Sequence, residues 1–439
     1  MRKKSISIFI AFILCIGLLS ADSFHLEEIF TELSIPFANK ELHHTKRSSS
    51  DPLMDTLLRF ADTLGQRMNG TLIIAKNDTI LVEKAYGYLQ LYKNNRGYEG
   101  LAMEQLDSVR NLKNNRMTTE TIFDLASVSK QFTAAAILKL CYEEKMSLQD
   151  SLGKYFPNMP YHTVTVREML NHTSGIPEYF NFNYALYDTS TFISTSQLCR
   201  VMRNNKFDRI FKPSGGFAYT NTNYVLLAKI VEIVAEQPFE QYVRDNLWKP
   251  AGMKHTYFFT ELVGLYPEDA PRPHASVRKG QELVDIQPLR DNFPVPIARG
   301  HFKGGSLAKY DRLNAILGDK GVYSNVEDML RWTHTFYIEC KILPKEWVEM
   351  ACKSQNILPS GIIPKKLYGY GVHLENNKEH GWLVYHGGLW NGFHNLWMYR
   401  PSDGTICIFL SNFYNASHVG KSNELLNIID QYQNVTSAN

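Results

Sequence analysis

The stretch FDLASVSKQFTAAAILKL, residues 123–140, passes from small polar residues into an apolar segment that continues to Tyr142. From Phe132 onward apolar side chains are nearly continuous, the pattern of a helix buried on most of its sides. A helix of that kind is stable only if other elements wrap it. With 439 residues and 44% hydrophobic content, the chain can supply that wrapping as one large domain or two ordinary ones. The head of the same helix carries Ser127 and Lys130, polar groups at the edge of the core.

The elements around this helix can be read from their periodicity. Two β-rich runs, Thr71–Ala75 and Thr79–Ala85, flank Lys76-Asn77-Asp78 and predict a hairpin. Val166–Leu170 predicts a helical turn that stops at Asn171-His172-Thr173-Ser174-Gly175. Val225–Ala235 and Phe239–Leu247 have helical spacing, the second ending before Pro250, and Val326–Tyr337 predicts a further helix. Strands are expected at Tyr370–Leu374, Trp382–Tyr385, His394–Tyr399 and Thr405–Ser411, then a helix at Leu425–Tyr432. The order of strands, helices, strands and a last helix predicts an α+β fold. One sheet would be built from both chain ends, with a helical region inserted between them.

The first residues, MRKKSISIFIAFILCIGLLSADS, place Arg2, Lys3 and Lys4 before an apolar run and small residues at Ser20 and Ala21. That is the layout of a secretory signal over residues 1–21, so the chain is expected to be exported to the periplasm, the cell envelope or the medium. Leu18 or Leu19 stands where a cleavage site prefers a small residue, and a signal left uncleaved would act as a membrane anchor. Residues 22–51, ending in HHTKRSSSD, read as a linker. Loss of residues 1–21 removes three positive charges and no negative ones, taking the formal charge from +3 to zero. Bulk charge therefore recruits no nucleic acid. Five of the six cysteines remain, odd in number and widely spaced, which implies neither a disulfide framework nor a zinc site. HExxH and HxHxD are absent, and His43-His44 has no partner ligands near it in sequence, so no metal is expected.

A serine hydroxyl is a poor nucleophile until a base takes its proton. Ser127 and Lys130 are three residues apart, hence on one face of a helix. At a first turn the free N–H groups and the dipole favour developing negative charge, and a lysine in a dry pocket becomes a proton acceptor. Ser-x-x-Lys also occurs at Ser151/Lys154, Ser276/Lys279 and Ser306/Lys309. Ser306, in GGSLA, half resembles the elbow of α/β-hydrolases, but the preceding ARGHFK is not the apolar strand an elbow requires. Two further motifs favour Ser127. In FAYTNTNYVLLAKIVE, Tyr219 and Asn221 lie on a turn that opens an apolar helix, where a phenol can relay a proton and an amide can hold a carbonyl. In WLVYHGGLWNGF, His386-Gly387-Gly388 is expected at the end of a strand, against which a substrate backbone can lie.

These three motifs, in this order, resemble the signature of the serine β-lactamase and penicillin-binding-protein-like hydrolases. The chain is most similar to the class C branch and its β-lactamase-related relatives. REMLNHTSGIPEY and LWKPAGMKHTYF add to the likeness, which spans roughly residues 55–430. The resemblance implies a serine β-lactamase-like fold, an antiparallel sheet flanked by helices, in a single catalytic domain over residues 52–435. The sheet lobe would take about 52–125 and 300–435, and the helical lobe about 126–299. It further implies Ser127 as the acylated nucleophile, Lys130 and Tyr219 as a joint proton-transfer pair, and Asn221 as a substrate-orienting amide. The N–H groups of Ser127 and Leu389 would form the oxyanion hole. No cofactor is implied.

The third motif departs from the family pattern. Efficient class C enzymes usually carry Lys-Thr-Gly where this chain has His386-Gly387-Gly388, so a hydroxyl and a fixed cation for a substrate carboxylate are missing. The expectation is therefore an exported serine hydrolase acting through an acyl-enzyme on an amide, peptide or ester, cell-wall peptide included. Any cephalosporin hydrolysis would improve as pH falls and His386 takes up a proton. The alternatives are a true class C-type β-lactamase and, in another class, a non-catalytic penicillin-binding or sensor domain.

Overall fold

In the computed structural model, which describes residues 43–44, 52–76, 79–91, 115–264, 293–302, 305–356, 366–414 and 422–436, the two ends of the chain meet in one sheet. The expected signal at 1–21 lies outside the described residues, as does the 22–51 linker apart from His43–His44. The N-terminal part contributes β1 (His43–His44), β2 (Gly70–Lys76) and β3 (Thr79–Tyr86). Three short strands follow, β4 (Phe123–Asp124), β5 (Tyr257–Phe258) and β6 (Val322–Ser324). The C-terminal part supplies β7 (Leu367–Tyr368), β8 (His373–Asn377), β9 (Gly381–Trp390), β10 (Phe393–Arg400) and β11 (Thr405–Ser411). The large sheet has the order β1-β3-β2-β11-β10-β9-β8-β7, and a small one has the order β4-β6-β5. Every pair is antiparallel except β1 with β3.

The helices are α1 (Pro52–Met68), α2 (Lys130–Tyr142), α3 (Leu152–Tyr155), α4 (Val166–Leu170), α5 (Thr195–Asn204) and α6 (Asn221–Ala235). They continue with α7 (Phe239–Val243), α8 (Phe259–Leu262), α9 (Val326–Trp332), α10 (Lys345–Ala351) and α11 (Ser422–Thr436). Side chains alternate across a strand, so β2 and β11 serve two cores. Leu72, Ile74, Cys407 and Phe409 pack with Leu57, Ala61 and Leu64 of α1 and with Leu425, Leu426 and Ile429 of α11. Ile73, Ala75, Ile406, Ile408 and Leu410 turn the other way, into the main core with α2 and α9. This double burial explains why these strands are apolar without alternation.

Helix α2 is wrapped as its sequence demands. Phe132 packs on Trp332 at 4.8 Å between ring centroids and edge-on to Trp248 at 5.6 Å. Its polar side chains bond to the elements around it: Thr133 donates to the Gly318 carbonyl at 2.7 Å, and the Gln131 side-chain oxygen accepts from Trp332 and Tyr337. The turn Ala126–Ser129 leads into it, with Ala126 at a φ of 49°, in the left-handed region that L-residues rarely occupy.

Four expectations change. The stretch Tyr370–Leu374 is not one strand, because Gly371, at a φ of 79°, turns the chain past the head of α2, separating β7 from β8. A Cβ at Gly371 would lie 2.8 Å from the Lys130 carbonyl oxygen. The predicted helices at Phe239–Leu247 and Val326–Tyr337 both widen midway, closing i to i+5 bonds from Lys249 N–H to Arg244 O and from Glu339 N–H to His334 O. Helices α1, α5, α8 and α10 are additional to the expected elements. Finally, His386-Gly387-Gly388 lies within β9 and not at a strand end, since β10 stays paired as far as Phe393 with Trp390.

Beyond the pair His373 with Tyr385, β8 leaves β9, so residues 386–390 keep β10 on one side and expose their other edge among the described residues. Gly388 lets this segment approach the turn before α2: a Cβ there would stand 2.2 Å from the Leu125 carbonyl oxygen, whereas one at Gly387 would meet nothing nearer than 3.8 Å. Gly388→Ala is therefore expected to lower stability by about 1–3 kcal/mol, while Gly387→Ala stays within about 0.5 kcal/mol. Urea unfolding of both variants checks this, and equal midpoints would contradict it.

Candidate active site

Ser127 sits half-buried on the turn that opens α2, and Lys130, at the first helical position, is fully buried beneath it. Lys130 Nζ lies 3.1 Å from Ser127 Oγ. Two other segments complete its surroundings. Nζ donates to Asn221 Oδ1 at 2.7 Å and to the backbone carbonyl of Asp319 at 2.9 Å. Burial lowers the pKa of Lys130 to about 8, against the pull of Asp319 and Glu178, while Lys320 adds to the lowering. An ammonium that yields its proton near neutrality, in contact with a serine hydroxyl, is suited to general-base work.

Asn221 is the first residue of α6, and its amide is held from both ends. Its Oδ1 faces Lys130, while its Nδ2 and backbone N–H donate to Glu178 Oε2 at 2.9 and 2.8 Å. Burial raises the carboxyl pKa of Glu178 above the ordinary range. The turn itself is fixed by Asp124, whose Oδ1 accepts the Ala126 N–H at 2.9 Å and whose buried carboxyl has its pKa pushed up to about 7. Val128 N–H is taken by Leu125 O, and no acceptor among the described residues pairs with the Ser127 N–H. That N–H is the first-turn donor left over for a ligand oxygen.

Tyr219 places its ring 5.0 Å below Lys130 Nζ. Its hydroxyl is buried without a hydrogen bond of normal geometry; Ser127 is near enough to favour the phenolate, yet burial dominates and keeps the phenol well above its usual range. His172 packs against the Tyr219 ring at 4.4 Å, and its Nδ1 accepts the Thr220 N–H, fixing the backbone between Tyr219 and Asn221.

His386 differs from the expectation. Its ring is buried among Tyr219, Tyr368 and His373, with Nδ1 at 2.7 Å from the Gly387 carbonyl oxygen and Nε2 at 3.2 Å from the Tyr368 hydroxyl. Burial, with His373 and Lys130 adding repulsion, holds its pKa well below that of an ordinary imidazole. His386 is thus a neutral wall of the site and not a titrating cation, because the side chain at this register of β9 points inward. Gly387 and Gly388 bring only backbone. Leu389 is half-exposed, with its backbone in the segment left by β8. Next to it, Trp390 stacks on Phe180 at 5.2 Å between centroids and 10° between planes.

Among the described residues the other Ser-x-x-Lys pairs have no such surroundings. Ser151 precedes the short α3, and Lys154 is paired with Asp150 at 2.8 Å. Ser306 lies in an irregular segment where its carbonyl accepts the Phe302 N–H, and no helix starts there. Ser276 and Lys279 lie outside the described residues, as do Lys303 and Gly304. His172, Glu178, Asp319 and Asp124 are additions that the sequence did not single out. His172 and Glu178 fall in REMLNHTSGIPEY, where no local pattern marks one polar residue above another. Among the described residues no cluster of His, Cys, Asp or Glu is arranged to hold a metal ion.

The family model described as Beta-lactamase matches residues 57–427. Penicillin-binding protein 4* of Bacillus subtilis (strain 168) is 27% identical over 355 residues, which cover 80% of this chain and 70% of that protein. The octameric penicillin-binding protein homologue from Pyrococcus abyssi superposes with a TM-score of 0.61 at 26% identity, over 82% of this chain and 73% of its own. A D-amino acid amidase from Ochrobactrum anthropi SV3, solved with L-phenylalanine, shares the fold at a TM-score of 0.62 and 18% identity, over 87% of this chain and 99% of its own.

If Lys130 takes the Ser127 proton, covalent labelling by a neutral fluorophosphonate should accelerate as pH rises through about 8, where Lys130 becomes neutral. His386 should add no inflection in the ordinary imidazole range. Labelling rates measured by intact mass across this span test both points, and a single rise centred near pH 6.5 would contradict them.

Proposed function

This chain belongs to the beta-lactamase family, and on that premise we propose that it is a serine hydrolase acting through an acyl-enzyme. Ser127 Oγ attacks the carbonyl carbon of an amide, peptide or ester while its proton passes to Lys130, with Tyr219 sharing the transfer. The C–N or C–O bond then breaks, and the leaving group departs with the proton. Water adds to the acyl-enzyme by the same route and releases the acid. The Ser127 and Leu389 N–H groups receive the oxyanion. The observation that carries this reading is the contact at 3.1 Å between Ser127 Oγ and a fully buried lysine whose proton affinity is depressed. Export under the N-terminal signal, with cell-wall peptide as one substrate class, belongs to the same proposal.

The third motif favours uncharged substrates. A β-lactam antibiotic presents a carboxylate, and His386 is neutral and turned inward while Gly387 and Gly388 carry no hydroxyl. Lys320 is a buried cation near this wall, and its ammonium is spent on Tyr179 and the Ile316 carbonyl. Acidification therefore brings no gain in cephalosporin hydrolysis, contrary to the expectation from a titrating His386.

A charged hydrogen bond that is missing is worth about 1.5–3 kcal/mol, roughly ten- to a hundredfold in rate. The test is kcat/KM for p-nitrophenyl butyrate, D- and L-amino-acid amides and nitrocefin on the purified protein. An ester or amide should exceed nitrocefin by that margin at neutral pH. If nitrocefin wins by a wide margin, the chain is a β-lactamase, and acylation without turnover by any of them would make it a sensor.

A further inference from the structure

Asp319 is held by two buried lysines, one on its backbone and one beside its side chain. Lys130 Nζ donates to the Asp319 carbonyl at 2.9 Å, and Lys320 Nζ lies 3.7 Å from Asp319 Oδ1. The carboxylate also accepts the Tyr179 hydroxyl on Oδ2 at 2.9 Å, and that hydroxyl in turn accepts from Lys320 Nζ at 2.9 Å. Lys320 is 3% exposed, its third contact is the Ile316 carbonyl at 3.3 Å, and its ammonium lies over the rings of Trp390 and Tyr179 at 5.2 and 5.5 Å. Aromatic faces, a carboxylate and acceptor oxygens suit a cation, and so enclosed a group has no reach to substrate.

We propose that Lys320 is a positioning residue for the proton acceptor: its ammonium offsets the Asp319 carboxylate beside Lys130 and so biases Lys130 toward the neutral form that can take the Ser127 proton. This rests on the reading of Lys130 as that acceptor. A buried carboxylate close to a lysine favours the lysine's charged form, and a second cation opposes it. The charged and titratable groups around Lys130 are Glu178, Asp319, Lys320, Tyr219, Tyr224, His172, His373 and His386. Those around Lys320 are Lys130, Asp319, Asp124, Asp311, Glu178 and Tyr179. Both histidine pKa values that bear on the pocket from β8 and β9 are depressed, so Asp319, Glu178 and Lys320 set the balance at neutral pH. Lys320 also ties the Asp319 loop to Tyr179, the neighbour of Glu178, and so joins the two segments that grip Lys130 and Asn221.

The experiment is the pH profile of Ser127 labelling by a neutral fluorophosphonate, read by intact mass on the full chain. Lys320→Met should move the rise to higher pH by about one unit, making labelling about tenfold slower below it. Lys320→Arg should keep the wild-type profile. Asp319→Asn should move the rise to lower pH, and the double variant Lys320→Met with Asp319→Asn should return toward wild type. A merely structural role lowers the plateau and leaves the position of the rise unmoved in all four, which would overturn the proposal. Should Lys320→Met not fold, Asp319→Asn decides: a rise at lower pH supports the balance of charges, and an unmoved one refutes it. Wild-type protein that takes no label on Ser127 at any pH would instead refute the hydrolase reading on which this rests.

Discussion

Lys130 carries an ammonium into a fully buried position, and much of the architecture answers the cost of that placement. The apolar body of α2 pulls the residue inward. Three acceptors then stand where solvent would be: the Ser127 hydroxyl, the Asn221 amide and the Asp319 carbonyl. They come from separate segments, so the pocket exists only when the inserted helices and the loop before β6 close over the head of α2. Even with all three N–H groups paired, burial away from water lowers the proton affinity of Lys130, so that it can release a proton near neutrality.

The sheet contributes a second requirement, close approach. Strand β9 reaches the turn before Ser127 because Gly388 has no side chain, and its outer edge is open because β8 ends at His373. At the same place Ala126 is held in the left-handed region, with its N–H bonded to the buried Asp124. A non-glycine residue there costs of order 1–3 kcal/mol and persists only where neighbours enforce it. The strands β4 and β6 and the Leu125 N–H bond to the Val322 carbonyl supply that enforcement. Ser127, Lys130 and the strand edge are thereby fixed to one another by backbone.

Much of this was legible in the chain itself. The continuous apolar run announced a buried helix, the hairpin at β2 and β3 and the strands β10 and β11 followed from β-rich runs bounded by turn residues, and their union into one sheet followed from element order. Ser127, Lys130 and Asn221 are brought together within hydrogen-bonding distance, as their motifs suggested. The character of His386 was not legible, because a motif gives a residue's position in a strand but not whether its ring is buried. Asp319 and Glu178 were invisible for a different reason. One acts through a backbone carbonyl that any residue supplies, and the other through a carboxylate brought in by a loop, with no sequence period to mark either. Helices α1 and α5 also escaped, although each carries an apolar face: Leu57, Ala61 and Leu64 of α1 and Leu198, Val201 and Met202 of α5 are buried.

The claim on which the rest stands is that Ser127 becomes acylated during turnover. Rapid acid quench of the wild-type protein mixed with an aryl ester, followed by proteolysis and peptide mass spectrometry, locates the acyl group directly. The account predicts a transient adduct on the peptide that contains Ser127, rising and decaying at the rate of product release. An adduct on Ser306, or full turnover with no adduct on any serine, would contradict it.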